Sequence, residues 1–159
     1  MKSFLLKSNK PTVLWSLVPD NCFYVGKLPG EDYSLAISPG NSNIVIVDCD
    51  VKNNKNGYDF IPSNILDELK NSFWYNTKSG GAHFFVNYTG GKTLKNCSTK
   101  YGLDLRRGSV SGNAGGYVKY NGSVPVDQIE LLIKDSSEDL NIFLESLFLG
   151  VNYEKEITE

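Results

Sequence analysis

Apolar residues along the chain come in short runs separated by clusters of glycine, proline, asparagine and serine, and each run predicts an element. Phe4, Leu5 and Leu6 predict an N-terminal strand or extended arm, and a short helix is expected to open near Pro11 and Thr12 with Trp15 as a core anchor. Residues 22–25 and 33–37 are strand-like, divided by Gly26, Pro29 and Gly30, and residues 38–41 read as a turn. Residues 44–47 are β-branched throughout and predict a strand buried on both faces, closed by Asp48-Cys49-Asp50. Beyond a polar loop at residues 52–57, Pro62 and Ser63 start a helix with Ile65, Leu66 and Leu69 as its stripe and Asp67 and Glu68 in its first turns.

Residues 73–77 and 82–86 then form the arms of a hairpin around Lys78-Ser79-Gly80-Gly81. Residues 101–107 alternate, so that Asp104 and Arg106 share one face while Leu103 and Leu105 fill the other. Glycine-rich turns over residues 108–116 lead to a returning strand at 116–120. Two helices are expected last, over 126–134 and 137–149. The second carries Leu140, Phe143, Leu144 and Leu147 on one face, a serine cap at 136 or 137 and a stop at Gly150.

These elements fit one α+β domain over residues 1–150, with an acidic, fraying tail at 151–159. Apolar and charged fractions of 40% and 21% are those of a soluble globular chain. No apolar run reaches membrane-spanning length, so a cytoplasmic protein without membrane contact is expected. Three widely spaced cysteines and a single histidine argue against zinc and for reduced structural thiols. The net charge of −2 conceals an asymmetry. Residues 77–120 hold seven bases (Lys78, Lys92, Lys95, Lys100, Arg106, Arg107 and Lys119) against one acid, Asp104. That third of the chain can hold an anion, or it can be a solvated basic face.

Candidate chemistry begins with Asp48 and Asp50, which alternate onto one side of their strand. Carboxylates side by side repel unless a cation lies between them, and an oxygen-only pair suits Mg²⁺ or Mn²⁺. His83 behind the hairpin turn, and Asp104 with Arg106, stand on two further strands. Together they make the kit that phosphoryl or nucleotidyl transfer requires: carboxylates for paired metals and cations for a polyphosphate. Gly80 and Gly81 let backbone approach phosphates closely. Each signal has a plainer counterpart. His83 also fits a structural histidine, Asp104 and Arg106 a surface ion pair, and Trp74, Tyr75, Phe84 and Phe85 core packing in place of base stacking.

The ordered set Asp48-x-Asp50, Thr77-Lys78-Ser79-Gly80-Gly81-Ala82-His83 and Leu103-Asp104-Leu105-Arg106, followed by Gly115-Gly116-Tyr117-Val118, resembles the three motifs of the archaeo-eukaryotic primase superfamily. More narrowly it is similar to the prim-pol domain of plasmid and phage replication proteins, over about residues 44–122. The resemblance implies template-directed nucleotidyl transfer, with Asp48, Asp50 and Asp104 catalytic and binding two Mg²⁺ or Mn²⁺ ions. It gives Ser79, Gly80, Gly81, His83, Arg106 and, more weakly, Lys119 to the incoming nucleoside triphosphate.

The implied fold is an antiparallel sheet resembling an RNA-recognition fold (residues 44–122), packed on a smaller N-terminal α/β unit (1–43) and followed by C-terminal helices (123–150). The implied partners are a single-stranded or primed DNA template and a helicase or other replication protein. Lys78, Lys92, Lys95, Lys100 and Arg107 are candidates for the nucleic-acid backbone, or solubilise their loops. A nucleotide- or single-strand-binding module without polymerisation, and a metal-dependent nuclease, stand as alternatives.

Overall fold

In the computed structural model, which describes residues 1–52, 54–108 and 115–149, a five-stranded and a four-stranded antiparallel sheet, a two-stranded ribbon of residues 51–52 and 55–56, and two α-helices make a mixed α+β fold. The strands are β1 (Lys2–Lys7), β2 (Lys10–Pro11), β3 (Tyr33–Ser38), β4 (Ile44–Cys49), β5 (Val51–Lys52), β6 (Lys55–Asn56), β7 (Phe73–Asn76), β8 (Ala82–Asn87), β9 (Cys97–Ser98), β10 (Leu103–Arg107) and β11 (Val118–Tyr120). The helices are α1 (Ser63–Asn71) and α2 (Glu138–Phe148). The turn residues expected at 109–114, the stop at Gly150 and the tail lie outside the described residues.

The larger sheet runs β7-β8-β4-β10-β9, with β4 at its centre. Ile44, Val45, Ile46 and Val47 are all buried, which is why this run lacks polar alternation. Val45, Val47 and Cys49 face the helix layer, where Phe84, Leu103 and Leu105 meet Ile65 and Leu69 of α1 and Leu140, Leu144 and Phe148 of α2. Ile44 and Ile46 face the other way and join Phe73, Tyr75 and Phe85 in a second core. The smaller sheet, β11-β3-β1-β2, closes that core with Ile37, Val118 and Tyr120. Each fully buried side chain of this size contributes about 1.5–3 kcal/mol, so the two cores, back to back, fix β4 on both sides.

Several local expectations are corrected. Around Pro11 the chain forms β2 and then a 3₁₀ turn at Trp15–Leu17 in place of a helix. Trp15 is half-buried, stacked on Phe4 at 5.8 Å. Residues 22–25 are irregular: Ser3 N donates to Cys22 O (3.0 Å) and Tyr24 N to Ser3 Oγ (2.7 Å), so one residue of β1 pins them without forming a ladder. Asp67 and Glu68 fall beyond the first turn of α1, and Glu68 instead accepts the Ser137 N–H at 2.8 Å. Residues 126–132 are 3₁₀, while Ser137 caps α2 as expected, accepting from Leu140 N at 3.2 Å.

The returning strand also goes elsewhere. β11 does not continue the sheet of β10 but pairs with β3, Val118 opposite Ile37 and Tyr120 opposite Leu35. The smaller sheet, whose other strands lie within residues 1–43, is therefore completed from outside them, and residues 1–43 contain no α-helix.

Candidate active site

One cross-strand rung carries most of the polar groups. Tyr75 of β7, His83 of β8, Asp48 of β4, Asp104 of β10 and Ser98 of β9 are successive register partners. Partners in an antiparallel ladder share a face, here the one opposite the helices. The adjacent rung on that face is apolar except at its end: Phe73, Phe85, Ile46 and then Arg106. The hydrophobic core thus stops one rung short of the carboxylates and holds them in place.

Asp50 follows β4 directly. Its N–H donates to Gly102 O (2.8 Å) and its carbonyl accepts from Gly57 N (2.9 Å), which extends the strand's alternation far enough to keep Asp50 beside Asp48. One carboxylate oxygen from each of Asp48, Asp50 and Asp104 lies within 4.8 Å of the other two. Three half-buried carboxylates this close could together hold a metal ion, and their hard oxygen donors are of the kind that suits Mg²⁺ or Mn²⁺.

Their electrostatics agree with that fit. Burial and the neighbouring Asp48 and Asp104 charges push the Asp50 pKa above the usual aspartate value, outweighing Lys52 and His83. Asp104 is also pushed up by burial, although Arg106 and the Thr99 N–H at 3.3 Å oppose the shift. Burial, with Asp48 and Asp50 beside it, pushes the Cys49 thiol up to about 12 and keeps it protonated.

His83 sits in a relay. Its Nε2 is 3.2 Å from Asp48 Oδ1, and its Nδ1 is 2.7 Å from the Tyr75 hydroxyl, which donates to the Lys119 carbonyl at 3.0 Å. A carbonyl only accepts, so the Tyr75 proton is committed to Lys119 and His83 Nδ1 must donate to Tyr75. The other ring nitrogen, Nε2, then faces the Asp48 carboxylate. Burial raises the Tyr75 pKa far above its ordinary range, so the phenol stays a donor.

Arg106 completes the face, with Nη2 3.3 Å from Asp104 Oδ2. Beside it opens a cleft of about 420 Å³ lined by Trp15, Asn96, Arg106, Gly116 and Tyr117.

The hairpin turn also approaches the site. A Cβ on Gly81 would lie 2.1 Å from Cys49 O, so only glycine lets the turn close against the end of β4. Gly80 has φ +90° and its N–H donates to Thr77 O (3.2 Å). Ser79 and Lys78 are exposed on that turn.

Asp48, Asp50, Asp104, His83 and Arg106 thus come together. Lys119 does not: it pairs with Ala36, so its side chain leaves on the outer face of the smaller sheet and its amine donates to Asn9 Oδ1 at 3.1 Å. Only its carbonyl reaches the relay. Lys92, Lys95 and Lys100 are exposed, whereas Arg107 is buried and binds the carbonyls of Leu94 and Ser42, which removes it from the surface open to a strand.

The aromatic residues pack against one another: Trp74 stacks on Phe84 at 5.7 Å and Phe73 meets Phe85 edge-on at 5.2 Å. The functional contact that sequence reasoning missed is Tyr75 with His83. Counting back across the hairpin turn from His83 reaches Tyr75, and that register was the available signal.

Compared with known proteins, the sequence matches no family model and no curated protein significantly. No helix among the described residues is long and apolar enough to cross a membrane.

Proposed function

We propose that this chain is a metal-dependent nucleotidyltransferase of the primase-polymerase kind, acting on nucleoside triphosphates along a DNA template, with the five-stranded sheet as an RNA-recognition-like catalytic sheet. The observation that carries this reading is the convergence of three carboxylates, far apart in sequence, beside an imidazole and a guanidinium on one sheet face. Divalent cations held by Asp48, Asp50 and Asp104 would neutralise a triphosphate and activate a 3′-hydroxyl.

The chain's own groups supply position and charge. Tyr75 orients His83, and His83 holds its Nε2 edge beside the carboxylate cluster, where it would contact the incoming nucleotide. Arg106, tethered to Asp104, offers its remaining N–H groups toward the cleft. The buried rung beneath keeps these groups from moving apart.

The test is primer extension on a primed template with Mn²⁺. Wild-type chain is expected to extend, and Asp48→Asn and Asp104→Asn to lose extension while keeping native circular dichroism. Extension by both variants refutes the reading. A second reading, a nucleotide- or single-strand-binding module, is favoured by the outward course of Lys119, which leaves Arg106 as the guanidinium on this face. Nucleotide binding without extension selects it, and strand cleavage without nucleotides selects a nuclease.

A further inference from the structure

Arg107 closes β10 on the face opposite Arg106, where Leu103 and Leu105 enter the helix-covered core. It is 6% exposed, and no carboxylate lies within ion-pair distance of it among the described residues. Nη1 donates to Leu94 O at 3.1 Å and Nη2 to Ser42 O at 3.3 Å, while Nε is buried with no partner among the described residues. Neutral carbonyls satisfy hydrogens but not charge. A guanidinium withdrawn from water without a counter-ion is among the costlier arrangements a fold can hold. Burial accordingly pushes the Arg107 pKa below its ordinary value, with Tyr88 acting in the opposite sense.

The same arginine borders a polar recess of about 260 Å³, together with Asn43, Tyr88, Thr89, Lys92 and Thr93. Gly91, also on its wall, has φ +75° with open space around it, so this loop turns without a side chain filling the recess. The Glu145 carboxylate nearby is engaged by the Tyr88 hydroxyl at 2.5 Å. Arg107, Lys92 and Thr93 thus line one recess, roomy enough for a phosphate group, at the end of the sheet remote from the carboxylates. Arg107 lies three residues along β10 from Asp104, about 10 Å, and on the other face.

We propose that this recess is an oxyanion site, held by Arg107 and Lys92, that takes a phosphate group, either inorganic phosphate or the terminal phosphate of a nucleic-acid strand. The anion supplies the ion-pair partner that Arg107 lacks among the described residues. The site is independent of the nucleotidyl-transfer reading, since no carboxylate of that centre takes part.

Arg106 and Arg107 are the only arginines in the sequence, so labelling arginine with ¹⁵N gives two Nε–H signals, and Arg106→Lys assigns them. The full chain is titrated with sodium phosphate against sodium chloride of equal ionic strength. The Arg107 signal is expected to shift saturably with phosphate and not with chloride. Asp48→Asn should leave this titration unchanged, which separates it from the carboxylate centre. Lys92→Ala with Thr93→Val, both exposed, should weaken phosphate binding about tenfold or more without loss of fold. A 5′-phosphorylated oligonucleotide that competes where its 5′-hydroxyl counterpart does not identifies a strand end as the source; competition by neither, with phosphate still bound, identifies the free anion. An unmoved Arg107 signal, an equal response to chloride, or undiminished phosphate binding by the double variant overturns the proposal.

Discussion

Arg106 and Arg107 leave one strand in opposite directions and enter opposite electrostatic situations. On one face Arg106 meets three converging carboxylates, more negative charge than one guanidinium balances. On the other, Arg107 is buried with carbonyls and, among the described residues, no carboxylate within ion-pair distance. The cores on both sides of β4 are saturated with apolar contacts, yet these two ends of the sheet each keep an unbalanced charge of opposite sign. On the two proposals made above, such imbalance would be completed by a cation at the first and an anion at the second.

The sharpest separation of the two ends comes from Asp104→Asn. It should lower primer extension by about 10³-fold or more, while the melting temperature without metal stays level or rises because a repelled carboxylate is gone. A matched loss of fold and activity would make Asp104 structural. Tyr75→Phe comes next: without its hydroxyl, His83 loses its orienting partner, and extension should fall about tenfold for a stability cost of about 1 kcal/mol, read from urea unfolding. Unchanged extension would remove the relay from the account.

A smaller effect should appear in the pH dependence of metal-free stability. Asp50 and Asp104, with pKa values raised on folding, hold their protons more tightly in the folded chain. They therefore stabilise it below the ordinary aspartate pKa, and that contribution is lost as pH rises through the folded values. Metal-free stability should decline as pH climbs from about 4, and Asp50→Asn with Asp104→Asn should flatten the decline. A flat wild-type profile would mean that the cluster carries no uncompensated charge. The least effect is expected from Lys119→Ala, within about 0.5 kcal/mol in stability and twofold in extension, because its amine lies on the outer surface.

The carboxylate face was legible in the sequence because strand alternation is local: once residues 44–50, 82–86 and 103–107 are strands, Asp48, Asp50, His83 and Asp104 need only the right register to meet. The hairpin turn supplied that register for β8. Lys119 could not be placed in the same way, since the face it occupies depends on β11 leaving one sheet for the other, and nothing near residues 116–120 encodes that choice. Arg107 is the converse case. Its alternation with Leu105 pointed inward, but charged residues are so seldom buried that composition argued for the surface. The N-terminal helix failed because Pro11 fits an edge strand as well as a helix start, and pairing with Leu6 decided it.

The central claim, that Asp48, Asp50 and Asp104 form a cation-dependent nucleotide centre, is tested most directly by electron paramagnetic resonance of Mn²⁺ titrated with the chain in the presence and absence of a nucleoside triphosphate. The free Mn²⁺ signal should disappear saturably with wild type, more steeply with nucleotide, and persist when all three aspartates are replaced by asparagine. A signal that wild type leaves untouched, or that the triple variant removes equally well, would contradict it.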